Sequence, residues 1–229
     1  MKVLLLTKDN YWTSLAENFL KLLFGESSVK AYRSNEKYKK IPSEVLEEEG
    51  DLLVSFLSPW IVPESLLRKF KIAINFHPGP PEYPGIGCYN FALYEDAKEY
   101  GVTCHFMSPE VDSGSIMNVI RFPIYPEDVP ETLQERSMVY MLILFYDIIS
   151  KIYRGEALVP SGEKWLRKPF TRKELNELCR IDPVNMCVEE IKCRIRATIH
   201  SNVKYGPFIE IGNYRFYLDS GNLKHLRKG

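Results

Sequence analysis

The first hundred residues alternate between short apolar runs and longer amphipathic or charged stretches. Val3–Leu6, DLLVSFL from Asp51 and KIAINF from Lys71 are nearly continuous apolar runs, and Val29–Tyr32 is a shorter one. Runs of this length between polar turns read as strands buried on both faces. Between the first two, Leu15, Phe19 and Leu22 recur at intervals of four and three, predicting a helix over Thr13–Leu23 with those residues on its buried face. SNEKYKKIPSEVLEEEG supplies a connection and a short helix, and VPESLLRKF another short helix with Pro63 near its first turn. Further on the pattern predicts a helix over Gly87–Glu95, a strand in GVTCHFM from Gly101, an edge strand in VIRFPIY from Val119, and a long helix from Pro130 to just before Gly155. Strand and helix in alternation with short links predict an α/β, Rossmann-like, mostly parallel sheet with helices on both faces, plus a small C-terminal helix and β-hairpin region.

After the long helix the composition changes. ALVPSGEKWLRKPFTRKELNEL is mixed and turn-rich, Val188–Ile199 has a short helical pattern, and FIEIGNYRFYLD from Phe208 alternates on both sides of Gly212 and Asn213, a strong hairpin signal. The expected division is a catalytic domain over residues 1–158 and a small C-terminal region over 159–229, ending in a frayed basic KHLRKG tail. A lone hairpin is marginal in water, so it needs a surface to cover it. A second copy of the chain is the favoured cover, which makes a homodimer the expected state.

Charge narrows the function classes. Thirty Lys and Arg balance thirty Asp and Glu across 229 residues, leaving no overall field to attract nucleic acid or a membrane surface. The apolar start MKVLLL meets Lys8 and Asp9 at once and reads as a strand, not an export signal. The greasiest stretch, MVYMLILFYDIISKIY, is broken by Asp147 and Lys151 and reads as a buried helix. Five cysteines without a CxxC pairing fit a reducing compartment, so the cytoplasm is expected.

Two stretches carry candidate chemistry. In INFHPGPPEYPGIG, from Ile74, Asn75 and His77 are one strand period apart and leave the strand on the same side, at the carboxyl edge where open α/β sheets bind ligands. Pro78, Pro80 and Pro81 prevent a helix from starting at once and stiffen the loop. In GVTCHFMSPEVDSGSI, from Gly101, His105 lies in a strand and Asp112 in the turn after it. Capping of the loop by Asn75, a core role for His77 and an Asx-turn at Asp112 are the bland alternatives. If the two loops meet, an amide donor, an imidazole and a carboxylate converge, which suits acyl transfer to an amine without a nucleophilic Ser or Cys.

INFHP with its proline-rich loop, followed by GVTCHFMSPEVDSGSIM, resembles the two signatures of the folate-dependent formyltransferase family, and with SFLSPWIVPESLL upstream the likeness extends over residues 1 to about 155. The resemblance implies N10-formyltetrahydrofolate as donor and Asn75, His77 and Asp112 as the catalytic set. It implies a pterin pocket built largely of main chain around Trp60, Ile61 and Val62 and around Met107, Pro109 and Val111, with His105 supporting the site.

The acceptor follows from where the chain departs from its relatives. tRNA-acting members carry an Arg-Gly pair after the histidine loop, where this chain has Tyr83, Pro84 and Gly85, and only a vestige of their C-terminal barrel is visible. The loop HPGPPEYPGIGCYNFALY is similar to that of the N-formyltransferases acting on dTDP-linked 4-amino-4,6-dideoxyhexoses, which serve bacterial surface polysaccharides (lipopolysaccharide O-antigen). That likeness makes a dTDP-amino sugar the expected partner. Pro78, Gly79, Tyr83, Tyr89 and Asn90 are the expected substrate contacts, with Trp165, Lys168 and Tyr205 as further candidates for the thymine ring or pyrophosphate. The competing readings are formylation of another small amine such as glycinamide ribonucleotide, a hydrolase with His77, His105 and Asp112 on a metal, and a binding domain without turnover.

Overall fold

The computed structural model describes residues 1–36 and 40–219. The basic tail predicted at the C-terminus, and part of the charged connection around residue 38, lie outside them. The elements run β1 (Val3–Thr7), α1 (Tyr11–Phe24), β2 (Val29–Arg33), α2 (Ser43–Leu46), β3 (Gly50–Phe56), α3 (Glu64–Leu67), β4 (Phe70–His77), α4 (Cys88–Tyr94), β5 (Glu99–Phe106), β6 (Ile116–Pro123), α5 (Pro130–Tyr153), α6 (Arg172–Cys179), β7 (Arg180–Ile181), α7 (Val188–Thr198), β8 (Phe208–Ile211) and β9 (Tyr214–Tyr217).

Six strands form one sheet in the order β2-β1-β3-β4-β5-β6. The first four are parallel, whereas β5 runs antiparallel to β4 and sets Asn75 directly opposite His105 and His77 opposite Thr103. The continuous apolar runs of β1 and β3 follow from burial on both faces. On one face Leu4, Leu6, Val45, Leu53, Trp60, Val62, Leu66 and Phe70 pack together. On the other, Phe145 of α5 lies with its ring 5.1 Å from Phe56 and 5.0 Å from Phe76.

Compact packing divides the chain into two interleaved units. One holds residues 1–84, 101–121 and 137–167; the other holds 85–100, 122–136 and 168 onward. In the second, β7, β8 and β9 form a small sheet whose hairpin turns at Gly212, with φ of 59°, as the Gly-Asn signal predicts. Every residue of β9 is exposed.

Two expectations change. The buried face of α1 is Thr13, Ala16, Glu17 and Leu20, not the Leu15–Phe19–Leu22 stripe, and Leu22 is 78% exposed. Small residues let the helix sit close, and Glu17 is admitted because Arg33 and Lys21 pair with it. Second, the stretch expected to be turn-rich contains α6, started by a capping box in which Thr171 accepts from the Glu174 amide and the Glu174 side chain accepts from the Thr171 amide.

Candidate active site

Because β4 continues to His77, Asn75 and His77 both project from its carboxyl end on one side, with Phe76 between them facing the aromatic core. The proline-rich loop then turns back, and the Tyr83 carbonyl comes to 3.0 Å from His77 Nε2. Thr103 Oγ1 donates to the Gly79 carbonyl at 2.8 Å and fastens the start of that loop to β5.

The second stretch folds over the first. Met107 N donates to the Ala73 carbonyl at 2.8 Å, and Phe106 N to the Ser115 carbonyl at 2.9 Å, closing a tight loop between β5 and β6. Asp112 sits in this loop with φ of 45°, a left-handed conformation that Asp tolerates better than most residues. Its carboxylate is buried, 3.2 Å from His77 Nδ1 through Oδ2 and 3.5 Å from His105 Nε2 through Oδ1. Gly114 has no alternative, since a Cβ there would lie 1.8 Å from the Phe106 carbonyl oxygen.

The partners fix the protons. A carbonyl only accepts, so His77 Nε2 carries a hydrogen toward Tyr83, and Nδ1 faces the Asp112 carboxylate. His105 Nδ1 donates to the Phe106 carbonyl at 2.8 Å, which leaves Nε2 to accept from Asn75 Nδ2 at 3.0 Å. That bond uses one amide hydrogen of Asn75 and leaves the other to donate elsewhere.

Trp165 walls the cluster. Its ring stands edge-on to His77 at 5.8 Å and to His105 at 5.1 Å, and its Nε1 donates to the Gly114 carbonyl at 2.9 Å. The sequence suggested this tryptophan for a thymine ring; its observed contacts are with the two histidines. No residue type could have announced the orienting carbonyls of Tyr83, Phe106 and Gly114.

The other expected site residues fall as follows. Trp60 and Val62 are buried, with Trp60 Nε1 lacking a hydrogen-bond partner; Ile61 and Val111 are exposed at 71% and 44%, Pro109 is exposed, and Met107 packs against the Trp60 cluster. Leu57, just past β3, has φ of 59°, which is rare for a non-glycine residue and is found at ligand-holding turns. Pro78, Gly79 and Tyr83 lie in the loop after β4, the Tyr83 ring 5.3 Å below the Arg167 guanidinium. Tyr89 and Asn90 belong to the other unit. There Asn90 Nδ2 donates to the Ala197 carbonyl at 2.7 Å, and the buried, unpartnered Tyr89 hydroxyl has its pKa pushed well above the usual tyrosine range by burial. Among the described residues no group of three His, Cys, Asp or Glu side chains is arranged to hold a metal ion, and no helix is long and apolar enough to cross a membrane.

Comparison with known proteins gives the following. The family model described as "Formyl transferase" matches residues 13–143. Phosphoribosylglycinamide formyltransferase of Haemophilus influenzae is 35% identical over 78 residues, covering 34% of this chain and 37% of that protein. Methionyl-tRNA formyltransferase of Levilactobacillus brevis is 28% identical over 155 residues, covering 66% of this chain and 48% of its own length. The chain thus spans less than half of these curated relatives. A sugar N-formyltransferase from Shewanella superposes with TM-score 0.76 at 20% identity over 96% of this chain and 97% of that one. An N-formyltransferase from Helicobacter canadensis, solved with folinic acid and dTDP-3-aminofucose, superposes with TM-score 0.72 at 20% identity over 93% and 84%. At such identities the superpositions speak for the fold.

Proposed function

This chain belongs to the formyl transferase family, and from that premise we propose that it moves a formyl group from N10-formyltetrahydrofolate to the C4 amine of a dTDP-linked 4-amino-4,6-dideoxy sugar. The observation that carries the reading is the convergence of Asn75, His77 and Asp112, with Asp112 Oδ2 3.2 Å from His77 Nδ1. The free Asn75 amide hydrogen stabilises the negative charge that develops on the formyl oxygen. The proton released by the attacking nitrogen passes to the His77–Asp112 pair, directly or through water, with Asp112 orienting the ring. The nitrogen must arrive neutral, since an ammonium has no lone pair. As the new C–N bond forms, the bond to N10 breaks and N10 recovers a proton.

The residues around Trp60 and Met107 suit the donor. Trp60 Nε1 is a buried donor without an acceptor, Ile61 next to it in sequence presents exposed apolar surface, and so does Val111 in the loop after β5. Full-length superposition on sugar N-formyltransferases, against partial matches to tRNA- and nucleotide-acting relatives, favours the sugar acceptor. We further propose a cytoplasmic homodimer joined through the C-terminal region, where β9 leaves Tyr214 and Phe216 72% and 55% exposed, and a role in bacterial surface polysaccharide synthesis. The test is incubation with the formylated folate and a panel of dTDP-amino sugars, with glycinamide ribonucleotide as the competing acceptor. Each acceptor is weighed for an added formyl group. Gain on a sugar that vanishes in Asn75→Ala and Asp112→Asn supports the reading; gain on glycinamide ribonucleotide alone replaces it.

A further inference from the structure

Tyr83 and Trp165 hold His77 from two segments far apart in sequence, and a single side chain joins those segments. Arg121, on β6, donates through Nη2 to Glu82 Oε1 at 2.9 Å and to Glu163 Oε2 at 2.7 Å, and through Nη1 to Glu163 Oε1 at 3.3 Å. Glu82 adjoins Tyr83. Glu163 lies two residues before Trp165 in a strap that is also fastened by Ser161 N to the Ile116 carbonyl at 2.9 Å and by Leu166 N to the Pro81 carbonyl at 3.1 Å. The three charged side chains are each about a third exposed, and for stability alone such a group contributes little. Yet Glu82 Oε2 is buried without a hydrogen-bond partner, so the loop has accepted an unfavourable burial to bring this carboxylate to Arg121.

We propose that Arg121 is a positioning residue for the reaction: by gathering Glu82 and Glu163 on one guanidinium it fixes the Tyr83 carbonyl and the Trp165 indole around His77, keeping solvent from the His77–Asp112 pair and its proton in place. The groups facing His77 are Asp112, the Tyr83 carbonyl and the Trp165 ring; His105 faces the same carboxylate from β5. Loosening the clamp weakens the carbonyl bond and admits water beside Asp112, and both changes release the ring from its fixed aim. Arg121 itself stays charged throughout: burial opposes its charge, but the hydrogen bonds to Glu163 and Glu82 outweigh it and raise its pKa.

The activity arm rests on the formyl-transfer reading; a second arm does not. Arg121→Ala, Arg121→Lys and Glu163→Gln are compared with the unmodified chain in kcat and KM, and hydrogen exchange of the Trp165 indole N–H is followed by NMR, tractable with only three tryptophans. The expected result for Arg121→Ala is a kcat lowered about tenfold, an unchanged KM for the folate, and a Trp165 indole exchange about tenfold faster. Arg121→Lys, which supplies a point charge without the fork, recovers part of each effect. A kcat and an indole exchange rate that both match the unmodified chain would overturn the proposal, even with a lower melting temperature. Should Arg121→Ala not fold, the other two variants decide by the same readings. Should no acceptor be formylated at all, the indole exchange alone decides, and only the formyl-transfer reading falls.

Discussion

Gly114→Ala is the most demanding test of the site geometry. The added methyl would begin 1.8 Å from the Phe106 carbonyl oxygen and 2.8 Å from its carbon. Ordinary contact needs the two backbones to part by more than about 1 Å, since carbon atoms rest at roughly 3.5–4.0 Å. Three bonds cross this point: His105 Nδ1 to the Phe106 carbonyl, Phe106 N to the Ser115 carbonyl, and Trp165 Nε1 to the Gly114 carbonyl. Overpacking of this kind costs about 1–3 kcal/mol, which in a domain of this size lowers the melting temperature by roughly 2–12 °C. The chemical cost is larger. His105 loses the acceptor that fixes its tautomer, Asn75 loses its fixed aim, and a displacement of about 1 Å is expected to lower kcat/KM on the order of 100-fold. Gly155→Ala is the control, because Gly155 is held by its backbone, with φ of 72°, while a Cβ there meets nothing within 4 Å; it is expected to lose stability alone. Thermal melts and single-turnover formyl transfer on the same preparations separate the two costs. Turnover of Gly114→Ala within threefold of the parent, at an unchanged melting temperature, would refute the geometric reasoning.

Three further outcomes follow from particular contacts. Burial works against the Asp128 carboxylate, but Arg136, the Tyr125 amide and the Thr132 hydroxyl outweigh it and hold its pKa below the usual range. A depressed acid stabilises the fold above its unfolded pKa and loses that contribution as pH falls through the folded one, so Asp128→Asn should lower stability by about 1–3 kcal/mol at pH 7 and less at pH 3; a loss equal at both values by urea titration would contradict this. Phe56→Ala, at a fully buried ring between Phe76 and Phe145, should cost about 3–5 kcal/mol by the same titration. Replacing both Tyr214 and Phe216 by Glu should shift sedimentation toward the monomer while leaving the melting of the catalytic unit in place; unchanged sedimentation removes the hairpin from the interface.

The sequence made the central sheet legible because β1 and most of β3 are buried on both faces and read as nearly continuous apolar runs, and β4 reads as one interrupted only by Lys71 and Asn75. It misplaced the buried side of α1 because a periodicity count cannot see that Arg33 and Lys21 make Glu17 an acceptable interior residue. The only mark of polar α6 was the Thr171–Glu174 box, and two-residue β7 left none. Within the site, the side chains that reach the reacting atoms were visible as residue types at strand ends. Trp165 was visible as an aromatic but not as a neighbour of the histidines, since 51 residues separate it from the carbonyl that holds it.

The ring N–H groups that orient the catalytic cluster, on His77, His105 and Trp165, all donate to peptide oxygens. Every amino acid offers that oxygen, so the aim of the imidazoles does not depend on which side chains stand at positions 83 and 106. Side-chain scanning there should be silent for ring orientation, though losing the buried Tyr83 ring costs packing. Only changes that bend the chain itself, as at Gly114, should be heard.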